Sequence, residues 1–91
     1  MAVQVKFFGR YRKMFNAERI ELEIGHPLRI RELMELVSEK HNCRDMIFDG
    51  ESLRPYVNIT INNRFIIHLN WLDTEVKDGD AVAFYDPATG G

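Results

Sequence analysis

Cysteine is nearly absent from this 91-residue chain: Cys43 stands alone, which excludes an internal disulfide and leaves a zinc–thiolate site without a second sulfur. A lone thiol fits a reducing, cytoplasmic setting. Charge of one sign is lacking too, because 12 basic and 14 acidic residues leave a formal net charge of -2. No broad positive field exists to gather a phosphate backbone or an anionic bilayer, so neither nucleic acid nor membrane is expected as a direct partner. No apolar run approaches the length of a bilayer span, and the opening residues carry no basic leader. His26, His41 and His68 are far apart in sequence, without the spacing of a metal-ligand set. Gly9, Gly25, Gly50 and Gly79 are scattered turn glycines, not a cradle for nucleotide phosphates.

What remains is an ordinary globular balance, 45% hydrophobic and 29% charged, in a length that suits one small domain. Val3, Val5 and Phe7 alternate with Gln4, Lys6 and Phe8, the period of a strand with one buried face. Alternation returns with Ile20, Leu22 and Ile24 inward and Glu21 and Glu23 outward, and the two runs are expected to pair as a hairpin. Residues 10–17 show no clean period and read as a loop, with a helical turn as the alternative. Ile30, Leu33, Met34 and Val37 then recur at three and four residues, the stripe of an amphipathic helix over residues 30–41, with Leu36 at its edge. Arg29 precedes that helix where Ser, Thr, Asp or Asn would accept an unpaired N–H, so the start lacks the usual side-chain cap.

Residues 43–55 read as irregular, with a turn at Asp49-Gly50-Glu51. Val57, Ile59 and Ile61 face inward on the next strand, and Asn62-Asn63 forms a tight turn because asparagine tolerates positive φ. Phe65, Ile67 and Leu69 are expected on the inner face of the following strand, with Trp71 closing the end of the core. Asp78-Gly79-Asp80 turns the chain into residues 81–85, where Val82 and Phe84 point to the core. The order ββαβββ with a short crossover implies an α+β fold, a mixed sheet packed against one principal helix in the β-grasp arrangement. The domain covers residues 1–85, followed by a flexible Gly-Gly tail over residues 86–91.

No conventional catalytic set is visible. Cys43 lacks a nucleophile signature and reads as a partly buried structural thiol. Glu21 and Glu23 share one solvated strand face, and the basic stretch Arg10-Tyr11-Arg12-Lys13 reads as a solvated loop. Phe8, Tyr56, Ile66 and Tyr85 fall opposite the expected core positions and are candidates for partner docking on the uncovered sheet face. The remaining signal is the ending Pro87-Ala88-Thr89-Gly90-Gly91: two glycines present no side chain to either flank of an extended backbone, so such a tail can enter a narrow site. An α-carboxyl with a reference pKa of roughly 3.3–3.7 is ionised at neutral pH, and needs a leaving group before it can act as an acyl donor.

Together, Val5-Lys-Phe-Phe-Gly9, Ile30-Arg-Glu-Leu33, Leu53-Arg-Pro-Tyr-Val57, Lys77-Asp-Gly-Asp80, Val82-Ala-Phe84 and the tail resemble the MoaD/ThiS family of ubiquitin-like sulfur carriers. The resemblance implies that Gly91 is adenylated by an activating enzyme with ATP and Mg2+ and converted to a thiocarboxylate by a sulfur donor. Gly90 would give slender access, while Pro87, Ala88 and Thr89 would thread into the partner. No cofactor is expected on this chain alone. Within the family the pattern is most similar to the molybdopterin synthase small subunit, which implies a large synthase subunit as partner and sulfur delivery for molybdenum or tungsten cofactor biosynthesis. The alternatives are a modifier joined through Gly91 to lysines of target proteins, and a sulfur carrier for thiazole synthesis or tRNA thiolation. In none of these is the chain an autonomous enzyme. Asp86-Pro87 departs from the family's usual paired prolines and puts a charge where the tail begins.

Overall fold

The computed structural model describes residues 1–86. In chain order the elements are β1 (Ala2–Phe7), α1 (Arg10–Phe15), β2 (Arg19–Glu23), β3 (Leu28–Arg29), α2 (Ile30–Lys40), α3 (Arg44–Ile47), β4 (Phe48–Asp49) and β5 (Ser52–Leu53). There follow β6 (Asn58–Ile61), β7 (Arg64–Phe65), two 3-10 turns at Ile66–His68 and Trp71–Asp73, β8 (Glu75–Val76) and β9 (Ala81–Tyr85). The main sheet among the described residues runs β2-β1-β9-β6-β7. β1 pairs antiparallel with β2 and parallel with β9, so the last strand lies beside the first, as the β-grasp reading requires.

Alternation sets the core. Val3, Val5, Phe7, Ile59, Ile61, Val82 and Phe84 are all buried on one sheet face, against Ile30, Leu33, Met34 and Val37 of α2. The start of α2 is held without a side-chain cap on Arg29. Ile30 N–H donates to the Thr74 carbonyl at 2.8 Å, and Arg29 N–H donates to Glu32 Oε1 at 3.0 Å, so the crossover supplies one of the missing acceptors. Leu36 is exposed, outside the stripe.

Three expectations are corrected. Residues 10–15 form a helix, not a loop: Tyr11 and Phe15 are buried four apart with Met14 packed beside them, and Asn16 ends the helix in the left-handed region at φ 54°. Six residues are too few for that spacing to stand out as a period. The strand expected through Leu69 stops at Phe65, where a 3-10 turn takes over and carries Ile66 into the core, leaving Phe65 and Ile67 outside. From there the inward positions are Ile66, Leu69 and Leu72, the spacing of three that a 3-10 path imposes. Trp71 does not close the core; it is exposed at φ 52°, and Leu72 fills that place. The irregular segment after Cys43 also contains the short α3 and the β4–β5 hairpin, with Ile47 and Phe48 buried and Met46 exposed.

The turn between β6 and β7 forms as expected. Asn62 and Asn63 have φ 51° and 69°, the pair of positive values that a two-residue hairpin of the right twist needs. Asn62 also braces the neighbouring strand, accepting from Ala81 N–H and donating to Asp80 Oδ1, both at 3.0 Å.

Candidate functional site

Parallel pairing of β1 and β9 decides where the chain leaves the domain. Phe7 lies beside Phe84, and Phe8 N–H continues the ladder by donating to the Phe84 carbonyl at 3.0 Å. The chain then turns at Gly9 (φ 60°) into α1, so the first residue of α1 stands next to the end of β9. Asp86 meets it there. Its carboxylate is buried, with Oδ2 accepting from Arg10 N–H at 3.2 Å and lying 3.2 Å from Arg10 Nε. The contact raises the Arg10 guanidinium pKa, through its hydrogen bond to Asp86 and the carboxylate's charge. Arg10 also lies over the Tyr56 ring, 5.3 Å from its centre, and the Tyr56 hydroxyl donates to the Met46 carbonyl at 3.2 Å.

The face of the sheet away from α2 changes character along its length. Towards one end it carries Gln4, Glu21 and Glu23; at the end where the chain leaves, it carries aromatic rings. Phe8 and Tyr85 stack at 4.7 Å with 3° between their planes, and Phe65 lies 6.2 Å from Tyr85. Arg12 reaches over Phe8 at 5.7 Å and donates from Nε to the Phe7 carbonyl at 3.1 Å. An aromatic platform bordered by guanidinium groups is a surface on which a partner protein can settle.

The structure thus brings Phe8 and Tyr85 together on this face and sets Tyr56 beside the exit, on the far side of Arg10. Ile66 is removed from the docking set: it is 1% exposed, because the 3-10 turn rotates it inward. Phe65 takes its place. The two-residue hairpin was the signal for this, since it fixes Ile61 opposite Arg64 and Thr60 opposite Phe65, and thereby puts Phe65 on the face that Ile59 and Ile61 avoid. The basic stretch read as a solvated loop is helix α1, and its arginines frame the exit. Tyr11 within it is fully buried, and burial pushes its phenol up to about 12.

Cys43 is 6% exposed and burial raises its thiol pKa, which makes it a structural residue and not a ready nucleophile. His41 packs edge-on against Phe15 at 5.3 Å, with Nδ1 3.0 Å from the Val37 carbonyl. Among the described residues no group of three His, Cys, Asp or Glu side chains is placed to hold a metal ion, and no helix is long and apolar enough to cross a membrane. Pro87, Ala88, Thr89, Gly90 and Gly91, the expected threading and reacting residues, lie outside the described residues.

The model of the ThiS family matches residues 5–91. The chain belongs to the ThiS family. It is 27% identical to small archaeal modifier protein 3 of Haloferax volcanii over 93 residues, covering 100% of both chains. Among solved structures, small archaeal modifier protein 1 of Methanosarcina acetivorans is similar at 28% identity and TM-score 0.80, over 99% of this chain and 96% of that one. A Pyrococcus furiosus protein proposed as molybdopterin-converting factor subunit 1 is similar at 29% identity and TM-score 0.76, over 96% and 98% of the two chains. The same fold occurs in a Helicobacter pylori complex of subunits 1 and 2 of molybdopterin-converting factor, with TM-score 0.63, 24% identity and 100% of both chains covered. This ThiS-family chain is therefore a β-grasp protein of the sulfur-carrier and ubiquitin-like kind, a class of substrates for activating partners and not of autonomous enzymes.

Proposed function

We propose that this ThiS-family chain is a ubiquitin-like modifier, joined through the Gly91 carboxylate to lysine amino groups of target proteins. The observation that carries the reading is the similarity, over the full length of both chains, to a small archaeal modifier protein. The aromatic platform beside the exit supports it, as a place for the activating enzyme to hold the folded body while the tail reaches a nucleotide. In the reaction a Gly91 carboxylate oxygen attacks the α-phosphate of ATP and pyrophosphate leaves, giving an acyl-adenylate. A lysine amine then attacks the acyl carbon, AMP departs, and an isopeptide bond forms. ATP and Mg2+ belong to the activating enzyme.

A second use of the same acyl group has its own support in the family match and in the similarity to the Pyrococcus protein. There a sulfur donor at the oxidation level of hydrosulfide attacks the acyl carbon of the adenylate, AMP departs, and a thiocarboxylate remains on Gly91, which a large synthase subunit would consume. This is the reading placed first on the sequence; the modifier relatives move it to second place.

Intact-mass and peptide measurements on the purified protein, incubated with its cognate activating enzyme, ATP, Mg2+ and a lysate of its own cells, test both. Lysines bearing a Gly90-Gly91 remnant are expected, and their loss on deleting those two residues. Oxygen-for-sulfur exchange at Gly91 with no modified lysine would establish the carrier reading instead. Modification that persists after the deletion would overturn both.

A further inference from the structure

We infer that Asp86 and Arg10 form a positioning latch, which fixes the point from which the tail starts beside the aromatic platform. The inference rests on the reading that Gly91 is the residue activated. Its basis is the two contacts that one buried carboxylate oxygen makes to one residue, Arg10 N–H and Arg10 Nε, both at 3.2 Å. A carboxylate taken out of water needs such partners, and here they come from an element 76 positions away in sequence. Arg10 is itself braced by the Tyr56 ring, so the latch ties the end of β9 both to α1 and to the segment following β5.

The arithmetic of reach explains why a fixed start matters. Residues 87–91 span at most about 18 Å when fully extended, at roughly 3.3–3.6 Å each. A tail that short meets a partner's nucleotide only if its origin is held while the body is docked, and every residue that peels from the sheet end adds conformations that miss. Proline at this position would restrict the chain through its own ring. Asp86 does the work through a partner, so the restriction can be removed by changing either residue. Docking and aiming are then separable: the body binds through Phe8, Tyr85 and Phe65, and the latch governs how often a bound chain presents its carboxylate.

The test follows ATP–pyrophosphate exchange by the cognate activating enzyme as the concentration of this chain is varied, together with amide hydrogen exchange at residues 85 and 86. Asp86→Ala is expected to lower kcat about tenfold, a rise of roughly 1.4 kcal/mol in the rate-limiting barrier, while KM changes less than about threefold. Arg10→Ala, at a half-exposed side chain that leaves the backbone N–H in place, is expected to fall about threefold in kcat. Exchange at residues 85 and 86 should speed at least tenfold in Asp86→Ala, while that of the central strands is unchanged. Normal kcat in both variants, or unchanged exchange at the strand end, would overturn the latch. A rise in KM alone would assign Asp86 to docking and overturn it as well. A wild-type chain that a competent cognate enzyme does not activate overturns the proposed function, and the exchange measurement still decides whether the strand end is pinned.

Discussion

The two faces of the main sheet are made by alternate residues of the same strands, and they follow different rules. On the inner face the positions of β1, β6 and β9 are apolar and buried, with Val3, Val5, Phe7, Val82 and Phe84 in consecutive register. On the outer face neighbours differ in kind: Glu21 and Glu23 on β2, Gln4 and Lys6 on β1, Ala81, Ala83 and Tyr85 on β9, Thr60 on β6 and Phe65 on β7. Packing determines the inner residues one by one, since a void or a polar group there has a direct energetic cost. The outer residues face solvent at one end and, on the proposed function, would meet a partner at the other. Stability should therefore respond to the inner face and activation to the outer one.

The hardest blow to that contrast comes from Phe84, which is fully buried with ring centres 5.3 Å from Phe15 and 5.5 Å from Phe7. Phe84→Ala should destabilise by about 3–5 kcal/mol in urea unfolding. A loss under 1 kcal/mol would show that the core does not depend on this ring.

A smaller effect comes from pH. The Tyr11 phenol is raised from 10.0 to about 12 by burial, so the folded state keeps its proton where the unfolded chain has released it. Its contribution is complete below pH 10 and is lost as pH rises from 10 towards 12, by up to about 2–3 kcal/mol. Tyr11→Phe should flatten that part of the stability–pH curve. An identical alkaline fall in both proteins would place its cause elsewhere.

The smallest effect comes from the outer face. Thr60 is buried there between Ala83 and Phe65, and its hydroxyl has no hydrogen-bond partner. Thr60→Val should stabilise by about 1 kcal/mol in thermal or urea unfolding, because it removes an unsatisfied polar atom. Destabilisation would show that the hydroxyl is bonded in solution.

Where a segment is long and has one environment per face, its pattern could be read from the chain. Strands β1, β2, β6 and β9, helix α2 and the Asn62-Asn63 turn are legible for that reason, since each repeats its period or carries a turn-specific pair. Helix α1 is too short to repeat, and its buried Tyr11 and Phe15 are separated by Arg12, Lys13 and Met14, of which only Met14 packs on the core. Ile66 is misplaced because the expected strand has Phe65 inward, whereas the pairing of Phe65 with Thr60 puts Phe65 on the outer face and leaves Ile66 for the core. Trp71 is held at positive φ in the crossover, a geometry that composition does not announce. Within the site, Phe8 and Tyr85 follow from alternation alone. The Asp86–Arg10 contact joins residues 76 positions apart and depends on parallel pairing, which no local pattern expresses.

That parallel pairing has a kinetic side. The middle of the sheet needs residues 81–85 beside residues 4–7, contacts that close a loop of nearly the whole described chain. Such closure is slow and comes late, so a nascent chain short of β9 has a hairpin and a helix but no completed core. An activating enzyme that recognises the finished platform would therefore be shown only chains whose synthesis has passed the last strand, and truncated products would not compete for it.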